Sequence, residues 1–153
     1  MPEIVPINPA DQQVQQLIGE LDKYQSTLYP DESNHLDPIE ELQRDHVYFI
    51  AAKLDGAIVG CGAIKLFDSY GEVKRMYVSP TSRQQGIGKA ILTELETHAA
   101  SKGIHVTRLE TGHLQTAAIK LYRCCGYRDV GPFGDYSEDP HSVFMEKRLR
   151  RKP

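Results

Sequence analysis

Between Tyr70 and Leu92 the chain reads YGEVKRMYVSPTSRQQGIGKAIL. Val73, Met76, Tyr77 and Val78 form a β-prone run, which Ser79-Pro80 breaks with turn chemistry before a polar segment, Thr81 to Gln85. A helix follows. Ile87, Ile91, Leu92 and Leu95 recur at helical spacing, Gly103 supplies a stop, and Lys102 sits where the helix dipole favours a cation. The glycines therefore fall at a helix start, where the first backbone N–H groups have no intrahelical partner. Without Cβ atoms, Gly86 and Gly88 admit a bulky anion to the N–H groups of roughly residues 84 to 89, and Arg83 and Lys89 add charge. Two rival phosphate motifs are excluded. A Walker A loop needs Ser or Thr after the Lys, where Ala90 stands, and a dinucleotide fingerprint needs a third Gly where Ile91 stands. On this segment alone, phosphate binding and simple packing both stay open for the glycines.

In chain order, Glu3 to Ile7 reads as a short strand, followed by a helix with Asn8 as its cap, Pro9 at its first position and Asp11 in its first turn. Val14, Leu17, Ile18 and Leu21 form its apolar stripe, and it ends before Tyr29-Pro30. Asp37-Pro38-Ile39-Glu40 starts another, with an Asp cap and Pro at the first position. Val47 to Lys53 and Ala57 to Phe67 flank Asp55-Gly56, the signature of a two-residue hairpin, and Gly60 and Gly62 mark a bulge or a close backbone approach. With the turn Asp68 to Gly71, these runs and the strand to Val78 form an antiparallel meander. The helix Gly88 to Ser101 crosses to Ile104 to Thr111, which implies a parallel pair and a mixed sheet. Tyr127 to Val130 and His141 to Arg148 read as the last strands.

Composition limits the rest. A chain of 153 residues that is 40% hydrophobic supports one domain, residues 1–153, with a real core. A net charge of −3 gives no general pull toward nucleic acid or an anionic membrane, and Lys147 to Lys152 reads as a frayed basic end. The three cysteines, Cys61, Cys124 and Cys125, form no disulfide framework and read as reduced thiols in a cytoplasmic protein. No apolar run reaches the length of a membrane span, and the first residues lack a signal peptide's apolar core. The histidines are scattered, so no metal site is expected.

Arg83-Gln84-Gln85-Gly86-Ile87-Gly88 resembles the Arg/Gln-x-x-Gly-x-Gly/Ala pyrophosphate loop of the GNAT superfamily of N-acetyltransferases. Glu72, in the strand before it, matches the family's strand Glu, and Ala117 to Tyr127, AAIKLYRCCGY, resembles the helix end that carries the family's Tyr. The resemblance covers nearly the whole chain. It implies an α/β fold with a mostly antiparallel mixed sheet, a central parallel strand pair that splays apart, and about four flanking helices. It implies acetyl-CoA as co-substrate, held by backbone groups of Met76, Tyr77 and Val78 and by the loop Arg83, Gln84, Gln85, Gly86, Ile87, Gly88 and Lys89. Many members carry an Asn at the start of the later helix, whereas this chain has Gln115-Thr116, so Gln115 takes the contact or it is missing.

By the same resemblance Glu72 is the general base that frees an amine lone pair, and Tyr122 the acid at the departing thiol. The blander alternatives are a strand-end carboxylate paired with Lys74 or Arg75, and an aromatic packed beside Leu114, Ala118, Leu121 and Cys125. Glu110 is a rival base, and His113 is a further candidate proton carrier or simply an exposed loop histidine. Tyr29 and its neighbours Tyr24, Asp31, Glu32 and His35, with Asp135 in the acidic loop Gly131 to Pro140, are candidate acceptor contacts or solvated polar groups. No His is spaced to activate Cys124 or Cys125, so attack is direct, without a covalent intermediate. The function implied is acetyl transfer to a primary amine of a small molecule, in a bacterial subgroup often labelled indole-acetate or amino-acid acetyltransferases. A protein lysine or N-terminus as acceptor, a non-catalytic acyl-CoA sensor, a nucleotide-phosphate binder, and a homodimer stay open.

Overall fold

The strand-forming runs join in one seven-stranded sheet in the computed structural model, which describes residues 2–28 and 38–150. The elements are β1 Glu3–Pro6, α1 Gln12–Leu28, α2 Ile39–Leu42, β2 Val47–Leu54, β3 Ala57–Leu66, β4 Gly71–Val78, α3 Ile87–Ser101, β5 Val106–Gly112, α4 Thr116–Cys124, β6 Arg128–Val130 and β7 Ser142–Arg148. The sheet order is β1-β2-β3-β4-β5-β7-β6, antiparallel throughout except for the parallel pair β4–β5. The mixed sheet and four helices are those expected. Among the described residues no helix is long and apolar enough to cross a membrane.

Local chemistry explains the connections. Asp55 (φ 52°) and Gly56 (φ 83°) are both left-handed, the backbone of a two-residue hairpin turn. Period-two alternation then splits the core over the two faces of the sheet. Ile50, Ala52, Ile64, Val73, Leu109 and Met145 meet the stripe of α3, whereas Phe49, Cys61, Ala63 and Tyr77 meet Val14, Leu17, Ile18 and Leu21 of α1. Gly62 faces α3. A Cβ there would lie 2.7 Å from Ile91 Cγ2 and 2.8 Å from Met76 Sδ, so its glycine is a close-approach device as well as a bulge partner.

The β3–β4 register slips opposite Gly62, from Cys61↔Tyr77 to Ala63↔Lys74, so Arg75 and Met76 together oppose one residue. Arg75 takes φ 58° in this bulge, and its guanidinium bonds the Asp22 carboxylate of α1. Two expectations need correction. Asn8 does not cap α1: its Oδ1 accepts from Ala10 N–H in a local turn, and Asp11 caps, accepting from Gln13 N–H at 2.9 Å and Val14 N–H at 3.4 Å. Pro9 therefore precedes the helix. Pro38 likewise flanks α2 in extended conformation (φ −70°, ψ 164°) rather than opening it. Asp37, Tyr29, Asp31, Glu32 and His35 lie outside the described residues.

Candidate active site

β4 and β5 pair only at Gly71↔Thr107, Glu72↔Arg108 and Val73↔Leu109, although β4 runs on to Val78 and β5 to Gly112. The bulge at Arg75–Met76 turns β4 away from its parallel neighbour. Met76, Tyr77 and Val78 thus stand beyond the last β5 pair, at the C-terminal end where open α/β sheets bind ligands.

After β4 a 3-10 turn, Pro80–Ser82, leads through Gln84 (φ 66°) and Gly86 (φ 77°) into α3. The first bond into the helix is Ala90 N–H to Gly86 O, so the N–H groups of Ile87, Gly88 and Lys89 come before it, and no side chain caps them. The two glycines do different things. Gly86 has a left-handed backbone and open space where a Cβ would be, whereas a Cβ on Gly88 would lie 3.0 Å from Leu121 Cδ2 of α4. Gly86 makes the cradle and Gly88 lets α3 and α4 meet. Arg83 Nε turns back to Val78 O at 2.9 Å with its guanidinium over the Tyr77 ring, while Gln85 and Lys89 are exposed beside the cradle. Uncapped amides, the positive helix end and an open glycine fit a diphosphate.

Glu72 is only 5% exposed, which sets it apart from a solvated strand-end carboxylate. Its Oε2 accepts a 2.5 Å hydrogen bond from Tyr136 Oη and lies 3.7 Å from Lys74 Nζ. Of the two partners expected for a structural role, Lys74 is therefore present and Arg75 is not, since Arg75 goes to Asp22. Tyr122 is buried, packs its ring edge-on against Tyr127 at 5.9 Å, and has its phenol pKa raised by burial, with Cys125 and Glu110 adding to the rise. The buried face of α4 is Ile119 and Tyr122, and Leu114, expected on it, is 46% exposed because it precedes the helix. Gln115 is the N-cap residue and its backbone N–H bonds Gly112 O. Cys61 is buried with its pKa pushed up to about 12 and Cys125 is raised by burial, so neither of these two is poised as a nucleophile, and all three cysteines are free thiols.

The other candidates lie around the far end of β5. Glu110 accepts from Ser142 Oγ at 2.7 Å. His113 is exposed, with Nδ1 3.2 Å from His141 O and its ring 5.4 Å from that of His141. Asp135 is exposed in the loop after β6. That loop is not merely solvated, because Phe133 is buried and Tyr136 reaches Glu72. The loop's acidic composition gives no sign of this contact. Its one trace in the sequence is the aromatic pair Phe133 and Tyr136 set among glycines. Among the described residues no group of three His, Cys, Asp or Glu could hold a metal.

Known proteins resemble this chain over most of its length. The acetyltransferase (GNAT) family model matches residues 14–127. An IAA acetyltransferase of Azospirillum brasilense is 47% identical over 144 residues, covering 93% of this chain and 94% of its own. A Klebsiella pneumoniae crystal structure assigned as an acyl-CoA N-acyltransferase is 41% identical, covers 98% of this chain and 99% of that one, and superposes with a TM-score of 0.84. PaiA N-acetyltransferase of Thermoplasma acidophilum, solved with coenzyme A, shares the fold at 21% identity and a TM-score of 0.76, with 97% of this chain and 99% of that one covered. These matches run along nearly the whole chain, which belongs to the GNAT family and is an acetyl-CoA-dependent N-acetyltransferase.

Proposed function

We propose that the chain acetylates the primary amine of a small molecule by direct attack, with Glu72 taking the proton that the amine must lose and Tyr122 bonding the sulfur that departs. One observation carries the reading. The β4–β5 pairing ends at Val73↔Leu109 while both strands continue, and the opening is followed directly by the uncapped start of α3. Acetyl-CoA supplies the electrophilic thioester. The amides of Ile87, Gly88 and Lys89 suit its diphosphate, and backbone groups of Met76 to Val78 suit its extended arm.

Proton removal is necessary because an ammonium has no lone pair with which to attack, and a buried carboxylate kept off bulk water suits that task. Tyr122 fits a narrower role than proton donor. Burial raises its pKa, whereas a thiol ordinarily titrates near 8.5, so full transfer from phenol to thiolate runs uphill. A neutral phenol still donates a hydrogen bond to the thiolate. Tyr122→Phe keeps the ring packing on Tyr127 and is expected to lower kcat roughly tenfold, the scale of one charge-assisted hydrogen bond, with little change in melting temperature. An unchanged kcat would return Tyr122 to the core.

The description of the Azospirillum relative as an IAA acetyltransferase supports a small acceptor. The test is release of CoA thiol from acetyl-CoA in the presence of amino acids, aromatic amines, aminoglycosides and IAA, with mass-spectrometric detection of the product. We expect at least one small amine to give thiol and N-acetylated product in equal amounts. Turnover only with lysine-containing or N-terminal peptides would move the acceptor to proteins.

A further inference from the structure

We propose that Tyr136 is a positioning residue for Glu72 and that the loop Gly131 to Pro140 belongs to the catalytic apparatus; the inference rests on the reading of Glu72 as base. The contact joins residues far apart in the chain and closes a triangle. Tyr136 Oη donates to Glu72 Oε2 at 2.5 Å, Lys74 Nζ donates to Tyr136 Oη at 3.2 Å, and Lys74 Nζ lies 3.7 Å from Glu72 Oε2. Both contacts to the carboxylate fall on Oε2, and Oε1 takes part in neither. A buried carboxylate stays charged and oriented only if donors replace the water it has lost. Tyr136 supplies that donor and at the same time fixes which oxygen is occupied and which is left to face an amine.

The loop is built to deliver this hydroxyl. Phe133 is a buried hub, with ring centroids 5.7 Å from Tyr70, 5.2 Å from Tyr136 and 5.8 Å from Phe144. Tyr136 also meets Phe144 at 5.5 Å, and its backbone N–H bonds Phe133 O. Gly134 is left-handed (φ 58°), and a Cβ there would lie 3.0 Å from Tyr70 Oη, so the turn between the two aromatics is held close to the sheet. The Arg108 guanidinium lies 4.7 Å from the Tyr70 ring and 5.9 Å from that of Phe133, completing the support from β5. The ring of Tyr136 is thus placed by packing, and only its hydroxyl addresses the base. In this arrangement Tyr136 donates a hydrogen bond, and Glu72 accepts the proton from the amine.

This division between ring and hydroxyl makes the test specific. Tyr136→Phe keeps the ring packing, so it should lower the melting temperature only modestly and retain the KM for acetyl-CoA, while lowering kcat about 10-fold to 100-fold. Introduced into Glu72→Gln, the same change should cost less than about twofold, because the group it positions is gone. Equal losses in both backgrounds would mean that the hydroxyl acts elsewhere, and a rise in kcat would mean that it restrains Glu72; either overturns the inference. A crippled Glu72→Gln beside an unimpaired Tyr136→Phe would overturn it alone, leaving the base intact. Full activity in Glu72→Gln would remove the base, and this inference with it.

Discussion

Glu72→Gln is expected to lower kcat by about 10²-fold to 10⁴-fold, the range of general-base catalysis, while the KM for acetyl-CoA stays within a small factor of wild type. The substitution is close in shape, and the amide oxygen can still accept from Tyr136 Oη, so the loop after β6 keeps its anchor. What disappears is the basic lone pair. The Lys74 ammonium, its side chain only 11% exposed, also loses a charged neighbour at 3.7 Å, so the melting temperature should be followed alongside kcat. A loss of kcat far larger than the loss of folded protein assigns the effect to chemistry. Glu110→Gln is the informative control. Glu110 is held by Ser142 Oγ on β7, and its removal is expected to cost much less. If Glu110→Gln cost more than Glu72→Gln, the base would lie on β5 and the assignment would be wrong.

Most of what places this site is legible because it depends on local chemistry. Asp55-Gly56 specifies a hairpin wherever it falls between two β-prone runs, and the 3.6-residue period of Ile87, Ile91, Leu92 and Leu95 specifies the crossover helix that makes β4 and β5 parallel. The break in their pairing is different. It arises from a bulge in which Arg75, a residue with no preference for positive φ, is held at 58° by its neighbours and by Asp22. No local pattern announces that. Asp11 displaced Asn8 as cap for a related reason: both side chains can bond the backbone two residues on, and only the position where the helix begins decides between them. The Tyr136–Glu72 contact is the extreme case, since it exists only once β5, β7 and the loop have been assembled.

Gly86→Glu is expected to abolish stabilisation by acetyl-CoA. Ligand that binds only the folded chain at about 100 times its Kd adds about 2.7 kcal/mol, and for a domain of 153 residues this corresponds to a rise in melting temperature of roughly 5–10 °C. CoA, which has the same diphosphate, should give a comparable rise, whereas ATP and NADH should give little. Two effects must be separated in the variant. Gly86 sits at φ 77°, so any L side chain costs about 1–2 kcal/mol of backbone strain, although nothing within 4 Å would clash with its Cβ. That strain lowers the melting temperature of the free protein. The glutamate carboxylate, placed at the uncapped amides of Ile87, Gly88 and Lys89, then competes with and repels the diphosphate. Gly86→Asn shares the backbone demand but tolerates left-handed geometry and carries no charge, so it should keep part of the ligand shift. A full shift in Gly86→Glu would mean that the diphosphate does not use this loop. A shift with ATP or NADH but not with acetyl-CoA or CoA would keep the cradle as a phosphate site and remove the basis for placing the thioester beside Glu72.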